Sequence, residues 1–241
     1  MKPKLQIEIL PQPNDTTCGP TSLHAVYRYY GERISLEKVI SEVKSLDEGG
    51  TMAVLLACHA LGRGYKATIY TYNLQIFDPT WFVPKGPDIR ERLALRLQYT
   101  DAPKMKIAIR AYLEFYRLGG TVRFEDLRTG LLRKYLSRSV PILTGLSSTY
   151  LYRCPREYGP HDVEDDVRGD PQGHFVVLCG YNKKEKKVLV ADPYQPNPIS
   201  GKNYYDVEIN RLLNSILLGI VTYDANLLII EPSEKRLTHR K

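Results

Sequence analysis

Long apolar runs are missing from this sequence, and so is a recognisable targeting segment. The apolar stretches, such as SILLGIV and NLLII, are far shorter than the roughly 20 residues of a membrane-spanning helix. The opening residues, MKPKLQIEILPQ, lack the apolar region of a signal peptide because Glu8 interrupts them. We therefore expect a cytoplasmic protein with no membrane partner.

Cysteine is scarce, and its spacing excludes a zinc ribbon. The 241 residues include four cysteines, of which no two form a CxxC pair. In a reducing cytosol they should be free thiols, and the apolar surroundings of Cys58 and Cys179 predict that both lie in the core. The glycines match no phosphate-binding loop, and the acidic segment 161–170 lacks EF-hand spacing. No cofactor and no metal site are expected.

A concentrated basic patch is also absent. The net charge of +7 is spread along the chain and includes a basic tail over residues 234–241, which we expect to be flexible. No stretch combines dense Lys and Arg with a nucleic-acid motif. The charge therefore indicates a solvated surface and no nucleic-acid partner.

Apolar periodicity predicts helices first and an antiparallel sheet afterwards, which is an α+β fold. Residues 153–172 are polar and rich in Pro, Gly and Asp, which is typical of a long loop. We expect one domain of two lobes over 1–241. Three predicted helices begin at Cys18, directly after a cap at Ser35, and at Thr51. Four further predicted helices cover 87–99, 103–119, 124–136 and 207–216. The predicted strands cover 5–10, 66–72, 140–146, 173–181, 186–194 and 226–232.

Cys18 opens the first predicted helix, where unpaired backbone N–H groups and the helix dipole favour a thiolate. A nucleophilic thiol also needs a base, an orienting group and donors for an oxyanion. His174 begins a strand whose hairpin partner ends at Asp192, so both side chains can meet at one end of the sheet. Gln12 precedes Cys18 by six residues and could fold its carboxamide back beside the sulfur.

Each of these signals is weak alone, but their joint presence favours catalysis over coincidence. The other histidines fit structural or surface positions. His24 lies nearly opposite Cys18 around its helix, and His59 lies on an apolar helical face. His161 is in the acidic loop and His239 is in the basic tail.

The motifs resemble the papain-like cysteine peptidases, and among them the C39-like branch. QPNDTTCGPTSL, GHFVVLCGYN and VLVADPY carry the likeness. It implies a helical lobe with the catalytic cysteine at a helix start and a β-sheet lobe carrying His and Asp. It also implies that Cys18 is the nucleophile, His174 the base, Asp192 the orienting residue and Gln12 the oxyanion donor.

The resemblance leaves part of the chain and part of the function open. Residues 72–120 do not align with the family core, and we interpret them as a helical insertion. The leading hypothesis is a cysteine hydrolase that cleaves an amide bond, most readily in a peptide, through a thioester. An acyltransferase or deamidase would use the same thioester, and a catalytically idle binding module is the third hypothesis. The oligomeric state stays open.

Overall fold

A seven-stranded sheet lies at the centre of the molecule. The computed structural model describes residues 5–46, 49–159 and 161–233, so the tail predicted to be flexible lies outside the described residues. The helices are α1 (Cys18–Tyr29), α2 (Leu36–Glu42), α3 (Ala53–Gly62), α4 (Ile89–Gln98), α5 (Pro103–Arg117), α6 (Thr129–Leu136), α7 (Ser148–Tyr152) and α8 (Ile209–Leu218). The strands are β1 (Tyr65–Thr71), β2 (Thr121–Arg123), β3 (Ile142–Ser147), β4 (Glu157–Tyr158), β5 (Val163–Glu164), β6 (Gly173–Asn182), β7 (Lys187–Ala191), β8 (Tyr204–Glu208) and β9 (Asn226–Pro232).

The strand order in the sheet is β2-β1-β9-β3-β6-β7-β8, and every neighbouring pair except β1–β2 is antiparallel. The predicted α+β class is thus confirmed, although strands from the first half of the chain also enter the sheet. Its central strands β3 and β6 are buried along most of their length. The loop predicted over 153–172 holds a short hairpin of β4 and β5.

Gly19 allows the start of α1 to pack closely against the core. A Cβ atom on this residue would lie 2.5 Å from Cγ2 of Thr51 and 3.3 Å from the ring of Phe175. Real Cβ contacts are not that close, so only glycine lets α1 approach the start of α3 and strand β6. The glycine after Cys18 is therefore required by packing, which places the thiol next to the sheet.

The segment Leu5–Leu10 is not a strand, contrary to the prediction. Its alternation is real, since Leu5, Ile7 and Ile9 are buried. The Tyr204 hydroxyl, however, accepts from the backbone N–H of Ile9 and donates to the carbonyl of Ile7. A side chain thus replaces the neighbouring strand that a β ladder would need.

Several predicted boundaries are also wrong. The helix predicted over 124–136 begins at Thr129, and residues 207–208 belong to β8 instead of to the helix after it. Pro87 lies outside α4 because the Asp88 side chain caps that helix by accepting from the N–H of Arg90. The cap predicted at Ser35 is confirmed, since its hydroxyl accepts from the N–H of Lys38.

Within the part of the chain that the structure describes, no helix combines the length and apolar character that crossing a membrane requires. The region 72–120 contains α4 and α5, which pack on each other, while α5 also packs on α3. That this region is an insertion in the family core stays a prediction, as does the division into two lobes.

Candidate active site

Cys18 is the first residue of α1, and it is 9% exposed. The preceding Thr17 does not cap the helix with its side chain, because its hydroxyl donates to the carbonyl of Asn14 at 3.0 Å. The amides of the first turn have no acceptor within their own helix. Cys18 therefore lies at the positive end of the helix dipole.

His174 is the second residue of β6 and lies opposite Leu146 of β3. Its Nε2 atom is 2.8 Å from Oδ1 of Asp192. The Cys18 side chain lies close enough to the His174 ring to raise the pKa of the imidazole. Because Nε2 is engaged by Asp192, Nδ1 is the ring nitrogen left for the sulfur. The structure thus brings together three of the residues singled out in the sequence, Cys18, His174 and Asp192, which we call the candidate triad.

The charges of the candidate triad support one another. Burial alone would lower the pKa of His174, but the charge and hydrogen bond of Asp192 and the Cys18 side chain raise it to about 10. Burial alone would raise the pKa of Asp192, but the His174 charge and hydrogen bonds from His174, Tyr205 and Tyr152 lower it. An imidazolium at His174 paired with a carboxylate at Asp192 is therefore the favoured charge state near neutral pH.

Asp192 follows β7 directly and has no exposed surface. Its Oδ1 accepts from His174 and, at 2.8 Å, from the backbone N–H of Tyr194. Its Oδ2 accepts from the hydroxyls of Tyr152 at 2.7 Å and Tyr205 at 2.5 Å. Sequence reasoning missed both tyrosines. Tyr205 lies on β8, a strand whose alternation in YYDVE could have revealed it, whereas no local signal marks Tyr152.

Gln12 lies near the candidate triad, but its side-chain amide bonds within its own loop. Its backbone N–H donates to the carbonyl of Pro193, the residue after Asp192, at 2.8 Å. Its Nε2 donates to the carbonyl of Asn14 at 3.0 Å, and its Oε1 is buried with no partner among the described residues. The loop before Cys18 is thus tied to the end of β7. One N–H of the carboxamide remains for a further acceptor.

The surroundings of Cys58 and Cys154 suppress a thiolate at these two residues. Cys179 is buried, as predicted, whereas Cys58 is only partly buried. Burial raises the pKa of Cys58 to about 12 and also raises the pKa of Cys154.

The other described histidines lie outside the cluster. His24 is buried with Nε2 at 3.1 Å from the carbonyl of Ile34. His59 contacts the Tyr27 hydroxyl and the Glu42 carboxylate. His161 is exposed, and His239 lies outside the described residues.

A buried carboxyl group that sequence reasoning also missed lies beneath the start of β6. Asp224 is 6% exposed, and its Oδ2 accepts from the hydroxyl of Thr222 at 3.2 Å. A Cβ atom on Gly173 would lie 2.7 Å from that same Oδ2. The glycine before His174 therefore leaves room for this carboxyl group. Burial raises the pKa of Asp224 to about 7, against opposing effects of Thr222, Lys104 and His174.

We expect Asp224→Asn to flatten the pH dependence of folding stability. Because the pKa of Asp224 is higher in the folded protein than in the unfolded chain, its contribution is complete below the unfolded pKa and is lost as pH rises through about 7. The loss is at most about 4 kcal/mol. Urea unfolding at about pH 5 and about pH 8 measures the part of this loss that falls between them, about 3 kcal/mol. The exposed Asp206→Asn is the control, and equal pH dependence in wild type and Asp224→Asn would contradict the expectation.

Comparisons with known proteins agree with the motifs. Residues 107–215 match the model of the Peptidase_C39 like family. No curated protein sequence matches the chain at a significant level. Three similar solved structures differ in how closely their folds agree. A chain described as a C39-like peptidase from Bacillus anthracis is 13% identical with a TM-score of 0.50, covering 95% of this chain and 96% of that one.

The other two have lower TM-scores. A double glycine motif protease from an AMS/PCAT transporter, solved with a leader peptide, is 15% identical with a TM-score of 0.45, covering 95% of this chain and 94% of that one. The peptidase domain of Streptococcus ComA is 12% identical with a TM-score of 0.44, covering 95% of this chain and all of that one (100%). Of the three, only the Bacillus anthracis structure reaches a TM-score of 0.50, and at 13% identity it speaks to the fold alone. The sequence motifs, the match over residues 107–215 and the fold together confirm the resemblance of this chain to the C39-like branch of the papain-like cysteine peptidases.

Proposed function

We propose that the protein is a cysteine hydrolase that cleaves an amide bond, and that its substrate is a peptide. The observation that carries the proposal is the placement of the Cys18 side chain beside the His174 imidazole, whose Nε2 lies 2.8 Å from Oδ1 of Asp192. A thiol at a helix start, a buried imidazole and a buried carboxylate in that order are what nucleophilic attack on a carbonyl requires.

The first half of the reaction forms a thioester. The Cys18 thiolate adds to the carbonyl carbon, and the carbonyl oxygen becomes an oxyanion that can be stabilised by the backbone N–H of Cys18 and the carboxamide of Gln12. His174 then donates its Nδ1 proton to the leaving nitrogen, and the C–N bond breaks. The acyl group remains on Cys18, and the amine product leaves.

The second half restores the thiolate. His174, now neutral, accepts a proton at Nδ1 from water while the water oxygen adds to the thioester carbon. The C–S bond then breaks, releasing the acid and the Cys18 thiolate beside the imidazolium. Throughout both halves Nε2–H of His174 donates to Asp192, so the ring keeps the orientation in which Nδ1 faces the sulfur.

Resolution of the same thioester by an amine would make the protein an acyltransferase. Formation of the thioester from a carboxamide with loss of ammonia, followed by attack of water, would make it a deamidase. Added hydroxylamine or an amino acid amide distinguishes these outcomes, because a transferase forms the corresponding amide in preference to the free acid. A binding module would form no thioester at all. It would also leave Cys18 with ordinary thiol reactivity.

The test of the proposal is selective alkylation. Iodoacetamide at neutral pH should modify Cys18 about tenfold faster than Cys58, Cys154 or Cys179. An ordinary thiol with a pKa near 8.5 is only about 3% ionised at pH 7. Peptide mass spectrometry of the native protein measures the rate at each cysteine. Equal rates at all four positions, together with no hydrolysis of a mixed peptide library, would refute the proposal.

Gln12→Ala should lower kcat by about 10²-fold, the usual effect of losing one oxyanion donor. The substitution removes a carboxamide whose second N–H has no acceptor among the described residues. It leaves the backbone bond to Pro193 in place. Steady-state kinetics with one peptide substrate gives the number. Gln98→Ala, at an exposed position of α4, should behave as wild type, and an unchanged kcat in Gln12→Ala would remove Gln12 from the site.

A further inference from the structure

We propose that Tyr152 and Tyr205 are positioning residues, whose hydroxyls hold the Asp192 carboxylate and set the proton affinity of the candidate triad. The inference rests on the proposed function. The contacts of Asp192 are asymmetric, because His174 contacts one carboxylate oxygen and both tyrosine hydroxyls contact the other.

The Asp192 carboxylate is fully occupied by donors. Its two oxygens accept from His174, from the N–H of Tyr194 and from the two hydroxyls, and a carboxylate offers about four acceptor positions. The group has no exposed surface. Water therefore does not complete its shell, and the protein alone holds the charge in place.

Both hydroxyls act as donors. Burial raises the pKa of Tyr152 and of Tyr205, and the charge of Asp192 raises each further. Neither phenol therefore ionises in the range where the enzyme would work. Each O–H places the positive end of its dipole against Oδ2.

The two tyrosines belong to different elements of the fold. Tyr152 is the last residue of α7, which follows β3, and Tyr205 is paired with Val190 across β7 and β8. They hold the carboxylate between a helix and the sheet. The Tyr152 ring also packs near the His174 ring, with centroids 6.0 Å apart. Phenylalanine at either position would keep the ring and remove only the hydroxyl.

Removing either hydroxyl should change proton binding at the candidate triad in a definite direction. Each hydroxyl dipole stabilises the negative charge on Asp192, so its removal makes the potential at the candidate triad more negative. Asp192 and His174 should then both bind protons more tightly. Asp192 would also lose one of the contacts that stop it from rotating, so the His174 ring would be less well oriented for proton transfer.

The experiment compares Tyr152→Phe and Tyr205→Phe with wild type. The control is Tyr135→Phe, because Tyr135 is also buried and its hydroxyl bonds to that of Tyr70 at 2.7 Å. The rate of Cys18 alkylation by iodoacetamide is followed from about pH 4 to about pH 10, alongside kcat and KM for one peptide. Both site variants should shift the pH profile upward by about half a unit or more. Their kcat should fall by about tenfold at unchanged KM.

A double variant shows whether the tyrosines act through Asp192. In an Asp192→Asn background no carboxylate charge remains, so adding Tyr152→Phe should leave the pH profile of alkylation unmoved. An equal shift in both backgrounds would overturn the inference, as would a wild-type pH profile in both single variants. Those results leave fast wild-type alkylation of Cys18 intact. Slow wild-type alkylation would instead overturn the proposed function and this inference with it.

Discussion

Cys18→Ala should abolish amide hydrolysis while leaving the protein folded. Without the sulfur no thioester forms, and the remaining groups can only orient substrate and water, so kcat should fall by more than about 10⁴-fold. The helix start around Cys18 is held by Gly19 against Thr51 and Phe175, and alanine preserves that packing. The free energy of unfolding should change by about 1 kcal/mol or less. Peptide hydrolysis and urea unfolding measure the two quantities.

Cys179→Ala is the matched control for this substitution. It removes an equally small buried thiol, one that contacts the backbone carbonyl of Leu189 and not His174. It should lose some stability and keep its activity. Residual hydrolysis in Cys18→Ala at the level of Cys179→Ala would show that Cys18 is not the nucleophile.

Asp192→Asn should have the second largest effect, on both activity and stability. Every acceptor position of the carboxylate faces a donor, with His174 and the N–H of Tyr194 on one oxygen and two tyrosine hydroxyls on the other. An amide NH₂ must therefore face two donors whichever way the side chain is turned. The variant should lose about 3 kcal/mol of stability and at least about 10²-fold in kcat, without losing all activity.

The stability of Asp192→Asn is read from urea unfolding, and its activity is measured where circular dichroism shows it to be folded. The exposed Asp206→Asn, on the neighbouring strand, removes a carboxylate without these contacts and should match wild type. A stable variant with wild-type kcat would mean that Asp192 neither orients His174 nor is held by the surrounding donors.

Local signals in the sequence are enough to predict the elements that carry the candidate triad. Cys18 could be placed at a helix start because the apolar spacing after it and the stop at Gly31 are local signals. His174 and Asp192 could be placed together because a short connection between two strands leaves few registers for pairing. These interactions act between residues near each other in the chain, where pattern and geometry are closely linked.

The surroundings of those residues depend on how distant elements pack, and they became visible only in the folded protein. The Tyr152 and Tyr205 hydroxyls and the Asp224 carboxyl group reach the site from elements that no local pattern connects to it. For the same reason Leu5–Leu10 kept the alternation of a strand without becoming one, since the hydroxyl of Tyr204 meets its backbone from 195 residues away. Hydrogen bonds between distant segments depend on how the elements pack, so the apolar periodicity of the chain does not predict them.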